Sequence, residues 1–432
     1  MSANQDAARK HLETLTGSAS LDKIAERLRP KTHRSPPRVP GASLTEPAVI
    51  VKRWALLPHA LHVKESIADP VTLSQHETYA GNIENLIGTV KIPVGLAGPL
   101  RVNGTSAQGD FYVPLATTEA ALVASYHRGA SVITLAGGCS TMILNEGVSR
   151  APAFAFHSLV EAGRFVAWCL ASTDALRAAA ERTTRHGRYK DLRITIEGNH
   201  VYLLLEFTTG DAAGQNMVTL ATQAVCELIA EECPVKPSYY FVEGNLSGDK
   251  KASSQSFQSV RGKKVTAEVR LPRKVVERLL HTTPEKMTDY WRMSALGGVL
   301  SGTIGVQGHY SNGLAALFIA CGQDAACVAE ASVGVTRFEV GSEGELYAAV
   351  TLPNLIVGTV GGGTKLPSQR ACLDILGLAG AGHARAFAEV CAALALAGEL
   401  SIIAALSAGH FAGAHEKRAR GRKHTKEPPP AE

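Results

Sequence analysis

Residues 191–217 have the sequence DLRITIEGNHVYLLLEFTTGDAAGQNM, and this stretch decides the fold. Apolar and polar residues alternate on both sides of Gly198-Asn199, a pattern that predicts two strands, 191–197 and 200–209, joined by a tight turn. The glycine-rich segment 210–216 then leads into residues 217–232, which have helical spacing. The stretch therefore predicts a hairpin, a glycine loop and a helix, in that order.

The flanking segments extend this pattern in both directions. Residues 155–180 have helical periodicity, and residues 238–242 have the composition of another strand. If a strand also precedes the first helix, the order is βαββαβ, the split βαβ arrangement of ferredoxin-like domains. The sequence thus predicts a small domain over residues 151–241.

The rest of the chain mixes Gly-rich loops with helices. The segment 114–129 predicts a helix that begins near Thr117-Thr118, two good N-cap residues. Residues 364–377 and 383–410 predict two more helices, and the second is Ala-rich, which is typical of a core packing element. The predicted fold class is α+β: a large helix-rich α/β domain with an inserted ferredoxin-like small domain.

Composition and charge restrict the class of protein. The chain has 432 residues, of which 45% are hydrophobic and 19% charged, as in globular proteins. Residues 1–45 hold eight Lys/Arg against four Asp/Glu, and the tail 416–432 holds six against three, although the whole chain is only +5. The tail has no aromatic residue among its basic ones, so a solvated, disordered end is favoured over contact with nucleic acid or an acidic partner. Residues 35–41 form a Pro-rich linker before a helical segment, 46–83.

Several kinds of site are absent from the sequence. There is no run of eighteen apolar residues, since Glu399 interrupts the richest stretch, and the first thirty residues are too polar for a signal peptide. We therefore expect a cytoplasmic protein with neither a membrane nor a nucleic-acid partner. The eight cysteines include no C-x-x-C pair, so no disulfide framework or structural metal is expected. Rossmann, P-loop and G-x-S-x-G motifs are also missing.

Four polar residues lie in segments of otherwise small, apolar residues: Glu119, Lys250, Asp324 and His410. A lysine near two carboxylates supplies an electrophile for a carbonyl oxygen and a general acid together. Taken singly, each residue is better explained as a salt bridge, a cap or a core histidine. The residue types alone leave this choice open.

The flanks of these residues resemble the motifs of 3-hydroxy-3-methylglutaryl-CoA reductases. The matching segments, in the order of that family, are 84–88 (ENLIG), 92–100 (IPVGLAGPL), 116–119 (ATTE), 210–217 (GDAAGQNM), 249–251 (DKK), 320–326 (ACGQDAA), 358–364 (GTVGGGT), 397–401 (AGELS) and 409–410 (GH). The resemblance covers residues 84–415. The ATTE and DKK forms resemble class I of the family, without the membrane domain of its eukaryotic members.

The resemblance implies a role for each of the four residues. Glu119 matches the glutamate that protonates the substrate oxygen, and Lys250 the lysine that polarises the carbonyl. Asp324 matches the aspartate that maintains their protonation states, and His410 the histidine that protonates the departing CoA thiolate. These roles suit hydride transfer, which places negative charge on oxygen, and thiolate departure, which needs an acid.

Binding residues are also implied by the resemblance. The substrate set is Arg150, Asn312 and His309 around the acyl group, Ser125 and Arg128 near the CoA, and Lys251. The NADPH set is Asp211, Gly214, Asn216 and Met217 on the glycine loop, with Thr184 and Arg185 near the 2′-phosphate. The large catalytic domain would comprise 84–150 and 254–415, with the loop 242–253 carrying Lys250. An active site across a homodimer interface, or a dimer of dimers, is implied, and no metal.

Two positions depart from the family pattern. Glu243 stands where the family has serine, and Met293 stands where it has a lysine, next to Arg292. We expect Glu243 to turn outward or to pair with Lys251 or Arg292. The leading hypothesis is NADPH-dependent reduction of 3-hydroxy-3-methylglutaryl-CoA to mevalonate and CoA. The alternatives are a reductase of a related acyl-CoA with an altered acid pocket, and a non-catalytic dinucleotide-binding homologue.

Overall fold

The computed structural model describes residues 4–17, 19–31 and 37–409. His410 and the basic tail 416–432, both singled out above, lie outside these ranges. The chain divides into two compact units, residues 1–89 and residues 90–432. All the other candidate site residues belong to the second unit.

The first unit consists of short helices around a small core. Its helices are α1 (Gln5–Thr16), α2 (Leu21–Leu28), α3 (Pro47–Trp54), α4 (Lys64–Ile67) and α5 (Pro70–Ser74). Asn4 and Ser20 cap the first two helices, neither of which buries a residue. Arg53 of α3, only 2% exposed, donates hydrogen bonds to the carbonyls of Pro40 (3.0 Å), Leu44 (2.8 Å) and Leu86 (2.7 Å). This guanidinium therefore connects the loops on either side of the helix.

The second unit is built on a ten-stranded sheet. Its strands are β1 (Val94–Gly104), β2 (Gln108–Ala116), β3 (Cys139–Arg150), β4 (Ala153–Ala155), β5 (Arg188–Glu197), β6 (His200–Thr208), β7 (Tyr239–Phe241), β8 (Gly262–Leu271), β9 (Val335–Val340) and β10 (Leu346–Leu355). The main order is β7-β4-β6-β3-β8-β10-β9, with β5 beside β6, and with β1 beside β2 and β3. Among these ten described strands, β1 and β3 pair in parallel and the other strand pairs are antiparallel.

The long strand β3 connects two parts of this sheet. Its first residues pair with β8, from Ser140 opposite Glu268 to Gly147 opposite Gly262. Its last three residues, ending at Arg150, pair with β6 instead. Arg150 therefore lies where the chain passes from one part of the sheet to the other.

The part beyond this junction has the predicted split βαβ order. Strand β4 precedes two helices, α7 (Leu159–Ala171) and α8 (Thr173–Glu181), and helix α9 (Gln215–Glu232) runs between β6 and β7. The strands lie in the order β7-β4-β6-β5, all antiparallel to their neighbours. The predicted hairpin is confirmed, and the alternating residues of β6 (Val201, Leu203, Leu205, Phe207) are at most 1% exposed. The α+β fold class is thereby confirmed.

The remaining helices surround the larger part of the sheet. They are α6 (Leu122–Leu135), α10 (Gln255–Gln258), α11 (Arg273–Val275), α12 (Pro284–Ser301), α13 (Tyr310–Ala320), α14 (Val328–Ala331), α15 (Pro367–Ile375) and α16 (Ala384–Ser407). Helix α16 is buried almost all round and packs against α6, α13 and the sheet. A Cβ on Gly129 of α6 would lie 1.8 Å from the Ala397 carbonyl oxygen, so these two helices touch through their backbones.

Burial also explains the apolar composition of α16. Within the described ranges it is the one helix long and apolar enough to span a membrane, and 78% of its most apolar window is buried inside the protein. Such burial is typical of a core helix, as the Ala-rich pattern predicts.

Three predicted helix boundaries are wrong, each for a local reason. Helix α6 begins at Leu122 and not near Thr117, because β2 runs through Ala116 and Ala121 adopts a left-handed φ of 70°. The helix predicted over 155–180 is two helices that meet at Ser172, where φ is −103° and ψ is 16°. The helix predicted from 364 begins at Pro367, since proline has no N–H and suits the first turn.

Candidate active site

Lys250 lies in the loop between β7 and α10, and it adopts a left-handed φ of 55° that few side-chain-bearing residues tolerate. Its Nζ lies 2.8 Å from Oδ2 of Asp324. The hydrogen bond from Lys250 to Asp324 is the main cause that raises the pKa of the lysine. The ammonium is therefore held in its charged form while its side chain remains 43% exposed.

Asp324 connects this lysine to the glycine loop. Its Oδ1 accepts a hydrogen bond from the N–H of Ala326 (3.0 Å), and its Oδ2 accepts one from Nε2 of Gln215 (3.4 Å). Burial alone would raise the pKa of Asp324, but its bonds with Lys250 and Ala326 outweigh that effect and lower it. Gln215 is the first residue of α9, directly after the loop 210–214. The structure therefore brings Lys250, Asp324 and the glycine loop together.

A buried ionic network includes Asp249, the residue that precedes Lys250. Asp249 accepts a hydrogen bond from Nη1 of Arg150 (2.9 Å) and forms an ion pair with Arg261. Burial would raise the pKa of Asp249, but Arg261 and Arg150 together lower it. Arg261 also lies 3.3 Å from Glu330, whose pKa is raised by burial. The residue next to Lys250 is thus fixed by two guanidiniums.

Glu243 belongs to the same network, contrary to expectation. Its Oε2 lies 3.4 Å from Nη1 of Arg150. Lys251 instead donates to the backbone carbonyl of Asp249 (2.9 Å), and Arg292 pairs with an aspartate of its own helix (3.2 Å). The prediction that Glu243 turns outward or pairs with Lys251 or Arg292 is wrong, because the loop that carries Glu243 places its carboxylate against the buried guanidinium of Arg150.

A second cluster surrounds His309. The ring Nδ1 of His309 lies 3.1 Å from the hydroxyl of Tyr126, and Nε2 lies 3.1 Å from the carbonyl oxygen of Gly398. The carboxylate of Glu399 accepts the N–H groups of Gly308 (2.7 Å) and His309 (2.9 Å). The histidine is therefore fixed at both ring nitrogens and at its backbone.

Glu399 is a residue to which the sequence assigned no role. It is 1% exposed, and it also accepts a hydrogen bond from Oγ1 of Thr336 (2.8 Å). Its carboxylate, one of two in the apolar helix α16 (the other is Glu389), was the available signal, because a buried charge needs partners. Its partners come from the loop before α13 and from β9, so the sequence could not name them.

Glu119 forms no hydrogen bond or ion pair with Lys250 or Asp324 among the described contacts. It is exposed, and its N–H donates to Oγ1 of Thr117 (3.0 Å). Burial raises the pKa of Tyr126 well above its ordinary value, and the charges of Glu399 and, less strongly, Glu119 add to this. Glu119 is thus electrostatically close to the His309 cluster, and across the described ranges no hydrogen bond joins it to Lys250 or Asp324.

Ser125 and Arg128 of α6, the residues expected near the CoA, both contact Ser401 of α16. Oγ of Ser125 lies 2.9 Å from Oγ of Ser401, and Arg128 donates to the Ser401 carbonyl (2.6 Å). Asn312, in the first turn of α13, is partly buried, and its N–H donates to the carbonyl of His309 (3.1 Å). These contacts fix Ser125 and Arg128 near the C-terminal half of α16.

Asp211 of the glycine loop is bonded to the protein itself. Its carboxylate accepts the N–H groups of Gly382 (2.8 Å) and Ala384 (3.2 Å). Ala384 is the first residue of α16, where a carboxylate is favoured by the helix dipole. The side chain expected to bind a cofactor therefore secures its loop to the core helix.

The other expected cofactor residues lie around the start of α9. Gly214 adopts a left-handed φ of 79°, and a Cβ there would lie 2.3 Å from Thr209. Oγ1 of Thr184 lies 3.1 Å from the sulfur of Met217, so the loop between α8 and β5 contacts α9. Asn216 and Arg185 are exposed, and no described residue forms a hydrogen bond or ion pair with the Arg185 side chain.

Two further observations complete the site. No histidine is among the described residues that bond to Lys250 or Asp324, and His410 lies outside the described ranges. Within those ranges, no three His, Cys, Asp or Glu side chains are placed to hold a metal ion together.

Comparison with known proteins gives a consistent result. Residues 50–420 match the family model described as hydroxymethylglutaryl-coenzyme A reductase. A 3-hydroxy-3-methylglutaryl-coenzyme A reductase of Pyrococcus abyssi (strain GE5 / Orsay) is 44% identical over 357 residues, which cover 81% of this chain and 87% of the relative. The protein of that name from Methanothermobacter thermautotrophicus is 46% identical over 342 residues, covering 79% of this chain and 85% of the relative.

A solved structure shares the fold at low sequence identity. It is the class II 3-hydroxy-3-methylglutaryl-CoA reductase of Streptococcus pneumoniae bound to NADPH, with a TM-score of 0.63 and 19% identity. The match covers 81% of this chain and 85% of that one. With the family model matching most of the residues and relatives above 40% identity, the chain belongs to the hydroxymethylglutaryl-coenzyme A reductase family.

Proposed function

We propose that this protein reduces 3-hydroxy-3-methylglutaryl-CoA to mevalonate and CoA with NADPH. The observation that carries the proposal is the Lys250–Asp324 pair, at 2.8 Å, beside the first residue of α9. The test is to mix the purified chain with NADPH and the thioester and to follow cofactor absorbance. Oxidation that requires the thioester supports the proposal, and its absence contradicts it.

The residues around α9 fit a dinucleotide. The N-cap residue of α9 is Gly214, so no side chain caps the N–H groups of the first helical turn. Free N–H groups at a helix N-terminus attract a pyrophosphate. Thr184, Met217 and Asn216 lie on the two segments beside this point, and Asp211 holds the loop in place. When bound, the nicotinamide cofactor supplies the hydride of each reduction.

Lys250 would act on the oxygen of the reacting carbonyl. As a thioester or aldehyde is reduced, negative charge develops on that oxygen, and a fixed ammonium stabilises it. Asp324 keeps the lysine charged, because its carboxylate raises the pKa of Lys250. We assign to Glu119 the delivery of the proton to this oxygen, which requires its exposed side chain to approach from the His309 side.

We further propose that His410 protonates the CoA thiolate. His410→Gln should then slow reduction of the thioester more than reduction of free mevaldehyde, because only the first reaction releases a thiolate. Stopped-flow measurement of NADPH oxidation with each substrate tests this. His415→Gln, five residues further on, is the matched variant. Equal slowing of both substrates by His410→Gln would remove His410 from this role, and selective slowing only in His415→Gln would assign the role to His415.

Arg185 is proposed to bind the 2′-phosphate of NADPH. A guanidinium recognises phosphate by charge-assisted hydrogen bonds, and the exposed side chain of Arg185 has no bonded partner among the described residues. Arg185→Ala should weaken NADPH binding about tenfold or more and leave NADH binding nearly unchanged. Fluorescence titration of both cofactors measures this, with Arg182→Ala as the control. A wild-type protein that prefers NADH would contradict the assignment.

For the substrate we propose two groups of binding residues. His309, Asn312, Arg150 and Lys251 would surround the acyl group, and Ser125 with Arg128 would face the CoA. The bonds of Glu399 to Gly308 and His309 support this by giving the His309 loop one defined position.

A related acyl-CoA is the second candidate substrate. The specific observation in its favour is the ion pair of Arg150 with Glu243, at 3.4 Å, which occupies a guanidinium assigned to the acyl group. A non-catalytic homologue is disfavoured, since Lys250 and Asp324 retain a bonded geometry that a binding protein would not need.

The assembly and cell location are also proposals. Four apolar side chains of α12 are largely exposed: Met293 (74%), Leu296 (68%), Val299 (75%) and Leu300 (89%). This row of exposed apolar side chains supports a homodimer or a dimer of dimers, which sedimentation analysis would detect.

We assign residues 84–150 and 254–415 to the catalytic domain, 151–241 to the NADPH domain and 242–253 to the lysine loop. The ATTE and DKK motifs support class I, and the burial of α16 supports a cytoplasmic protein.

A further inference from the structure

Glu243 is an internal partner of the guanidinium next to the lysine loop. Its Oε2 lies 3.4 Å from Nη1 of Arg150, and it accepts hydrogen bonds from Oγ of Ser247 (2.9 Å) and the N–H of Ala151 (3.3 Å). Its Oε1 accepts the N–H of Asn245 (2.7 Å). The carboxylate is therefore held inward by four donors, with its side chain only 28% exposed.

Arg150 is already shared by two carboxylates, which both contact its Nη1, and its buried Nε has no hydrogen-bond partner among the described residues. The same Nη1 donates to Asp249 (2.9 Å), Nη2 lies 3.5 Å from the Gln215 carbonyl oxygen, and the side chain is 8% exposed. The neighbouring Arg261, 2% exposed, is already paired with Asp249 and Glu330. Three carboxylates thus face two guanidiniums, so this buried network has no positive charge in excess.

The network lies within reach of a substrate held at Lys250. Asp249 precedes Lys250 directly, and it contacts both guanidiniums. In 3-hydroxy-3-methylglutaryl-CoA only three carbon atoms separate the thioester carbonyl from the free carboxylate. A carbonyl bound to Lys250 therefore brings that carboxylate close to Arg150, where Glu243 already sits. Two like charges in a secluded site repel each other unless a free cation lies between them.

We propose that Glu243 is a specificity-determining residue, which fills the carboxylate position on Arg150 from within the protein. The acyl subsite consequently favours short branched hydroxyacyl groups with an uncharged end over those with a free carboxylate. This inference rests on the proposed function, since it takes the thioester carbonyl to bind at Lys250. Glu243 changes which acyl group is preferred and does not change the reduction chemistry.

The test compares two thioesters that differ only in this carboxylate. Isothermal calorimetry measures binding of 3-hydroxy-3-methylglutaryl-CoA and of 3-hydroxy-3-methylbutyryl-CoA to the full chain. The wild type should bind the uncharged thioester at least as tightly as the acidic one. Glu243→Ser should bind the acidic thioester about tenfold more tightly than the wild type, with no comparable gain for the uncharged one. Glu243→Gln, which removes the charge but keeps the shape, should change the preference in the same direction.

Glu232→Ser, at the exposed end of α9, is the matched control and should change neither affinity. A wild type that binds the acidic thioester tenfold more tightly than the uncharged one would overturn the proposal. So would equal effects of Glu243→Ser on both thioesters, or the absence of binding of either thioester to every variant. NADPH oxidation is recorded separately for both thioesters. The expected binding preference without any oxidation would contradict the proposed function and still support the role of Glu243.

Discussion

Lys250→Ala is expected to lower the rate of thioester reduction on the order of a hundredfold or more, the typical loss when one group that stabilises a developing oxyanion is removed. The side chain is 43% exposed and the left-handed backbone at this residue is set by its loop, so the fold should survive the change. NADPH binding should also persist, because the proposed cofactor residues lie on other segments. Steady-state kinetics, circular dichroism and a cofactor titration together measure the three effects.

Lys251→Ala provides the internal control. Lys251 is the next residue, and its Nζ donates to the backbone carbonyl of Asp249 (2.9 Å) without bonding to Asp324. Its removal should alter the KM for the substrate more than the chemical step. A well-folded Lys250→Ala protein with near-normal turnover would exclude the lysine from the mechanism.

Asp324→Asn should have the next largest effect, and it should change the pH profile. Asp324 raises the pKa of Lys250, so in the wild type the ammonium persists as the pH rises. Without that carboxylate the pKa of Lys250 falls, and the alkaline loss of activity should begin at a lower pH than in the wild type. At neutral pH we expect a rate loss on the order of a hundredfold, because the lysine also loses its fixed position.

Rates measured across the pH range test this prediction. Asp289→Asn is the control, since Asp289 forms an exposed ion pair with Arg292 one turn away on α12. It should leave the pH profile unchanged, because exposed pairs contribute little. An alkaline limb that stays in place in Asp324→Asn would show that this carboxylate does not control the charge of the lysine.

The alternation of apolar and polar residues correctly predicted the hairpin of β5 and β6, because one face of β6 is strongly buried. The alternation in β6 identified its core residues, since Val201 and Leu203 are fully buried. The start of α6 could not be predicted in this way. Thr117 is a good N-cap residue, but its hydroxyl accepts the N–H of Glu119 in a turn before the helix.

For the candidate site, the sequence predicted residue types and said little about the contacts between them. Motif resemblance, and not spacing, linked Lys250 with Asp324, which are far apart in the chain and meet at 2.8 Å. Glu399 and Asp211 bond to N–H groups of distant loops, which no sequence pattern indicates. The contact of Glu243 with Arg150 likewise depends on where β3 ends, so the sequence-based expectation for Glu243 was wrong.

The stoichiometry of the reaction tests the proposed function most directly. Purified protein is incubated with 3-hydroxy-3-methylglutaryl-CoA and NADPH, and the NADPH oxidised and the CoA thiol released are measured in the same sample. Our account predicts two NADPH oxidised for each CoA released, with mevalonate as the product and with both quantities lost in Lys250→Ala. No thioester-dependent oxidation, or one NADPH for each CoA with an aldehyde as the final product, would contradict it.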